Sequence, residues 1–146
     1  MKVVIQRCLK GSVEVNNKLI SSIDKGLVIL VGFTNEDNES DIDYMVNKII
    51  NLRIFDDENG VMNKSILDLN LEILCVSQFT LYADTKKGNR PSYINALNSK
   101  DASKLYDVFC EKLNNHIVTK KGIFKTDMKV SLINDGPVTI IIDSKK

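Results

Sequence analysis

Short apolar runs open the chain, and their polar interruptions fall mostly at a spacing of two, the pattern of strands. Val3-Val4-Ile5 begins a strand that passes through Gln6-Arg7 and continues at Gly11 to Val15, where Val13 and Val15 alternate with polar neighbours. Asn16-Asn17 predicts a turn, because Asn tolerates the left-handed region, and Leu19 to Ile23 resumes a strand. Asp24-Lys25-Gly26 turns again into Leu27 to Val31, the most hydrophobic run, which reads as a central strand buried on both faces. Gly32 at its end marks a bulge or a close approach of backbone. Further strands are expected at Arg53-Ile54-Phe55, at Leu71 to Val76, at Phe124 to Ile133, and at Val138 to Ile142.

The spacing changes to three and four in two places. Ile42, Met45, Val46, Ile49 and Ile50 share one face of a helix over 41–52, capped by Ser40 or Asn38, with Asp41, Asp43 and Lys48 off that face. Leu105, Val108, Phe109 and Leu113 form the stripe of a second helix over 102–114, capped by Ser99 or Asp101 and flanked by Tyr106. Pro91 introduces a helical turn with Tyr93, Ile94, Ala96 and Leu97, and Lys120-Lys121-Gly122 reads as a turn. Mostly β, with two main helices inserted, the order predicts an α+β fold of compact, barrel-like curved sheets with the helices packed outside.

Composition narrows the function. At 146 residues the chain fits one domain, residues 1–146, and its 43% hydrophobic content is that of a globular protein. A net charge of +1 gives no bulk signal for nucleic acid, so any RNA-binding surface must be local. No apolar run is long enough to span a bilayer, and Gln6 and Arg7 interrupt the N-terminal apolar stretch too early for a signal peptide. A cytoplasmic protein with no membrane association is expected. The three cysteines, Cys8, Cys75 and Cys110, are scattered and read as buried free thiols. With a single histidine, His116, the chain has neither zinc spacing nor the makings of a Ser-His-Asp triad. Asp56-Asp57-Glu58-Asn59-Gly60 lacks the ligand spacing of a calcium loop, and Walker and dinucleotide glycine motifs are absent. No metal and no cofactor is expected.

Two segments carry chemistry. Leu71 to Pro91 starts apolar and then delivers Ser77, Gln78 and Thr80, with Phe79 between them, at the mouth of a strand. Backbone amides around Gln78 and Phe79 can stabilise an oxyanion there; equally, these residues can simply end a strand. Asn134-Asp135-Gly136-Pro137-Val138-Thr139 sits between two strand-like runs, and its Gly136-Pro137 is either an ordinary turn or a cis peptide with carbonyls exposed in an unusual direction. Lys86, Lys87 and Arg90 form a basic loop near Tyr82 and Tyr93, suited to phosphate contacts or to plain solvation.

Taken together, Ser77-Gln78-Phe79-Thr80 and Asn134 to Thr139 resemble the D-aminoacyl-tRNA deacylase family, as do Val4-Ile5-Gln6-Arg7, Asn51 to Phe55 and Lys87 to Ser92. The resemblance runs from Met1 to about Ile142, with Tyr93 and Cys8 as departures from the commoner residues. It implies hydrolysis of the ester joining a D-amino acid to tRNA, and also of glycine mischarged on alanine tRNA. It further implies a homodimer in which a cis Gly136-Pro137 enters the partner subunit's pocket, its carbonyls holding the substrate α-amino group and excluding L side chains. On this resemblance Ser77, Gln78, Phe79 and Thr80 hold the terminal adenosine and scissile carbonyl, Ala96 lies near the pocket wall, and Arg7 supports the Gly-Pro loop. The tRNA 2′-hydroxyl then activates water, since no base is evident; a nucleophilic Thr80 is the competing mechanism. Two rivals remain at this stage: a non-catalytic RNA-binding module built on the Lys86 to Arg90 loop, and a small esterase with no RNA partner.

Overall fold

The structure, a computed structural model, describes all residues from Met1 to Lys146. β1 (Lys2–Val15), β2 (Lys18–Ile23) and β3 (Gly26–Gly32) are followed by α1 (Glu39–Asn51), the small hairpin β4 (Phe55–Asp56) and β5 (Met62–Lys64), and the single-turn α2 (Ile66–Leu69). β6 (Glu72–Ser77) leads into a 3₁₀ turn, Phe79–Tyr82; then come α3 (Ser99–Asn114), β7 (Thr119–Lys121) and β8 (Lys129–Asp143). The main sheet runs β2-β1-β3-β6-β7, with β8 on the other side of β1. It is antiparallel except where β6 pairs with β3 and with β7. No helix is long and apolar enough to cross a membrane.

β1 explains the curvature. Its first half pairs with β3 and its second half with β2, while β8 follows it along the other edge. Asn16 and Asn17 turn β1 into β2 at φ 51° and 61°, the left-handed pair that matches strand twist. The sheet curls into a nearly closed barrel with a different apolar filling on each face. Leu27, Ile29, Val31, Ile73 and Cys75 pack toward the helices, while Val28, Leu74 and Val76 pack into the barrel with Cys8 and Val13. The strict alternation along β3 and β6 is the period-two rule with both faces buried. The α+β barrel with two main helices outside is therefore the architecture found.

Several expectations need correction. The Phe124–Ile133 and Val138–Ile142 runs are not two strands: the second lies within β8, which starts at Lys129 and passes straight through Gly136-Pro137. Pro137 is tolerated because β8 is an edge strand, bonded to β1 alone. Lys120 and Lys121, read with Gly122 as a turn, lie instead in the strand β7, because β6 offers Thr119 to Lys121 a parallel edge. The strand expected at 53–55 is displaced to 55–56, and Tyr93 to Leu97 reduces to one turn, Ala96 N donating to Tyr93 O at 3.0 Å.

Of the two caps expected for α1 the structure uses Asn38, whereas the α3 cap and some burial differ. In α1, Asp41 is buried rather than facing solvent. Its carboxylate accepts from Asn38 N at 3.0 Å in a capping box and from Lys145 Nζ at 2.9 Å. α3 is capped by Asn98 and begins at Ser99. Its buried stripe includes Ala102, Tyr106 and Cys110 beside Phe109 and Leu113, with Leu105 and Val108 only partly covered. Tyr106 goes inside because its hydroxyl donates to Cys75 O at 2.8 Å, which satisfies its one polar atom and ties α3 to β6.

Candidate active site

Parallel pairing of β3 with β6 brings two strand ends side by side. Val31 faces Ser77, and the ladder continues one residue further, where Gln78 N donates to Val31 O at 2.7 Å. The chain then turns back past Gly32 so closely that a Cβ there would lie 2.8 Å from Gln78 O. This is the close approach that Gly32 was expected to mark. Ser77 falls on the helix side of β6, the side of Ile73 and Cys75. The strand ends, the first turn of α3 and the 124–128 segment enclose a cavity of about 550 Å³, a size that suits a small-molecule fragment.

Ser77, Gln78, Phe79 and Ala96 line that cavity together. Thr80 does not, but its hydroxyl accepts a hydrogen bond from Gln78 Nε2. Phe79 is exposed and meets Tyr93 edge to face, ring centres 5.0 Å apart at 71°. The amide of Gln78 is not a free oxyanion donor, because the β3–β6 ladder already uses it. The donors available are the amides of Phe79 and Thr80, which open the 3₁₀ turn and have no preceding turn to bond. Phe124, Lys125 and Thr126 also line the cavity. Nothing in Phe-Lys-Thr-Asp signals a site, and only the tertiary fold brings it there.

No carboxylate, histidine or cysteine lines the wall. Cys75 lies fully buried two residues before Ser77, its thiol pushed up by burial and by the Cys110 thiol. His116 follows the far end of α3, a helix of 16 residues, roughly 24 Å long at 1.5 Å per residue. Tyr82 is buried with its hydroxyl unpartnered, and burial together with Asp37, Asp143 and Asp41 pushes it well above its ordinary range. A paired nucleophile and base of the usual kind is therefore not assembled here.

Gly136 and Pro137 are exposed, and their peptide bond is cis. Gln6 faces Thr139 and Cys8 faces Asn134, so two steps on β1 match five on β8 and three residues are extruded as a bulge. Arg7, only 6% exposed, braces that bulge: Nε donates to Asp135 O at 3.2 Å, and Nη1 donates to Ile54 O at 2.8 Å. Asn134 Nδ2 pins the bulge's base through Arg7 O at 3.1 Å and Val138 O at 3.0 Å. No residue of the bulge lines the chain's own cavity, and along the sheet the two are well separated. Arg7 faces Leu27 whereas Ser77 faces Val31, four residues along β3, roughly 13 Å, and β8 lies three strand spacings from β6, roughly another 14 Å.

Lys86, Lys87 and Arg90 sit on an exposed loop outside the cavity wall. The loop is closed at its base by the Asp84–Ser92 bridge, immediately before Tyr93 at the cavity rim.

A family model described as D-Tyr-tRNA(Tyr) deacylase matches residues 4–143. A D-aminoacyl-tRNA deacylase of Azobacteroides pseudotrichonymphae genomovar. CFP2 is 57% identical over 147 residues, covering 99% of this chain and 98% of its own length. The chain belongs to the D-aminoacyl-tRNA deacylase family. A second deacylase of that name, from Flavobacterium psychrophilum, is 58% identical with the same coverage. Among solved structures, one titled c-Myc DNA Unwinding Element Binding Protein matches with a TM-score of 0.93 at 42% identity, over 98% of each chain. A structure titled as a probable eukaryotic D-amino acid tRNA deacylase matches with a TM-score of 0.83 at 17% identity over 97% of each, which shows a shared fold. As a D-aminoacyl-tRNA deacylase the chain is a hydrolase with D-aminoacyl-tRNA as its substrate, and tRNA binding follows from that.

Proposed function

We propose that this deacylase cleaves the ester of D-aminoacyl-tRNA, and of glycine mischarged on alanine tRNA, in the Ser77 cavity of one subunit, completed by the Gly136-Pro137 bulge of a second. The observation that carries the reading is the makeup of the site: Phe79 in the cavity wall with Thr80 next to it, their amides opening the 3₁₀ turn, and no carboxylate, histidine or cysteine along the wall. Amides aimed at a developing oxyanion need no proton transfer of their own. The base is then the 2′-hydroxyl of the terminal ribose, which the substrate holds beside its own ester and which gains from proximity alone. The carbonyls of Gly136 and Pro137, braced through Arg7, receive the α-amino group. With that group and the ester both fixed, an L side chain meets the wall where a D side chain points away. Glycine, lacking a side chain, passes the same test. The bulge's exposure and its distance from its own cavity support a role in trans and a homodimer. The Lys86, Lys87 and Arg90 loop, rooted at the cavity rim, contacts the acceptor stem outside the pocket, in the cytoplasm where translation supplies the substrate.

The deciding experiment follows matched D- and L-aminoacyl-tRNA with the purified protein. The expected result is release of the D-amino acid with the L form spared. Equal cleavage of both removes the chiral pocket, and tRNA affinity without cleavage favours the non-catalytic RNA-binding module. Cleavage of simple esters with indifference to the nucleotide favours the small esterase.

Thr80→Ala separates the two chemistries. Thr80 loses one hydrogen bond from Gln78, worth about 0.5–1.5 kcal/mol, so turnover is expected to stay within about tenfold of wild type. A complete loss in the variant together with an acyl group trapped on Thr80 of the wild-type protein, seen by mass spectrometry, would make Thr80 the nucleophile.

A further inference from the structure

We propose that Lys125 holds a phosphate of the tRNA acceptor end, the phosphodiester that precedes the terminal adenosine; this rests on the deacylase reading above. Lys125 is the one charged side chain in the cavity wall, and no carboxylate accompanies it there. The nearest acid in the sequence, Asp127, is taken by Lys129 at 3.5 Å, and Lys125 itself has no ion-pair partner. Three lysines elsewhere in the fold are paired, Lys112 with Glu39 and Asp43, Lys121 with Asp107 and Lys145 with Asp41, whereas the cavity offers Lys125 no such acid.

The backbone at Lys125 is also unusual. Its φ is 60°, a left-handed conformation that an unbranched charged residue adopts far less readily than Gly or Asn. Such an outlier in a cavity wall is a reason to ask what its side chain does. Thr126 holds the turn, its hydroxyl donating to Ile123 O at 2.8 Å.

The chemistry of the substrate supplies the partner. With the ester at Ser77 and Phe79 and the nucleoside within the cavity, the first anion outward is the phosphodiester on the nucleoside's 5′ side. A lysine ammonium suits it as a compact charge that needs no fixed fork.

Three variants and two substrates test the assignment. Lys125→Asn removes the charge while keeping a residue at ease in the left-handed region; Lys125→Ala removes the charge together with the stem; Lys125→Arg keeps the charge. For D-aminoacyl-tRNA, the Asn and Ala variants are expected to raise KM about fivefold to tenfold and leave kcat within twofold. The salt slope of binding is expected to fall by about one ion, with recovery in the Arg variant. For a D-aminoacyl-adenosine without any phosphate, the KM change in both variants should be clearly smaller than the change for tRNA, and the Arg variant should give no charge-dependent recovery. An unchanged KM and salt slope for tRNA in Lys125→Asn overturns the proposal, as does an equal loss on both substrates. Affinity for uncharged tRNA is measured in parallel. If the wild-type protein failed to deacylate, the deacylase reading would fall, and the Lys125 effect on tRNA affinity and its salt slope would still decide this inference either way.

Discussion

Gly136→Ala is expected to lower kcat/KM for D-aminoacyl-tRNA by about a hundredfold while leaving a folded protein. Gly136 has φ 120°, where L side chains are strained, and an added Cβ would lie 2.8 Å from both Arg7 Nη2 and Val138 Cγ2. Neither neighbour yields easily. Arg7 is held by Ile54 O, Asp135 O and the Asp135 carboxylate, and Val138 is pinned through Asn134. The bulge must move instead. Strain at such a position costs about 1–3 kcal/mol, tolerable on an edge strand. If the bulge carbonyls receive the substrate amino group as proposed, however, a displacement of about 1 Å costs on the order of a hundredfold in rate. The ratio of D to L cleavage should fall in the same variant. Arg7→Lys belongs beside it: the charge survives but the fork that reaches Ile54 and Asp135 together does not, so an intermediate loss is expected. Circular dichroism and a thermal melt establish folding, and matched D and L kinetics give the result. A folded Gly136→Ala protein with kcat/KM within threefold of wild type would remove the bulge from the site.

The residues at issue differ in how readable they are from sequence. β3 and the turn at Asn16-Asn17 follow from local pattern, because burial on both faces and left-handed Asn are properties of the segment itself. α1 is legible for the same reason, down to a choice of two caps of which the structure uses Asn38. What fails locally is what the tertiary structure decides. Gly136-Pro137 reads as a terminator, yet β8 continues through it because an edge strand can extrude three residues and re-enter register. Tyr106 reads as a flank because its hydroxyl is polar, and Cys75 O, 31 residues away, makes it core. The site shows the same division. Ser77 to Phe79 announces itself by an abrupt change of polarity at a strand end. The Gln78 amide is consumed by Val31 only because the parallel pair extends beyond the last strand residue. Lys125 and Phe124 reach the cavity from a segment with no composition to mark it.

The site's dependence on that parallel pair leads to the largest expected loss of stability, Gly26→Ala. Gly26 begins β3 and is flanked on both sides, by Cys8 of β1 and by Glu72 of β6. A Cβ at Gly26 would fall 2.0 Å from Glu72 O and 3.0 Å from Glu72 C. These are main-chain atoms, so no rotamer change relieves the overlap. The lower ends of β3 and β6 must part, or the pair must slide. Sliding by one residue would exchange the two faces, sending Leu27, Ile29 and Val31 into the barrel and Val28 toward the helices. Parting is the cheaper response, and overpacking against fixed backbone is expected to cost about 3 kcal/mol or more, a fall of about 10 °C in Tm for a chain of this size. On the proposed roles of Lys125 and the basic loop, the folded fraction at 25 °C should still bind tRNA, because both lie toward the other end of the pair. Its kcat should drop, because the opening is transmitted along β3 to the Val31–Gln78 hydrogen bond that sets the Phe79 and Thr80 amides. A Gly26→Ala protein that melts within 2 °C of wild type would mean that the strand ends are not in contact as described, and the geometry of the amides above them would have to be argued from some other support.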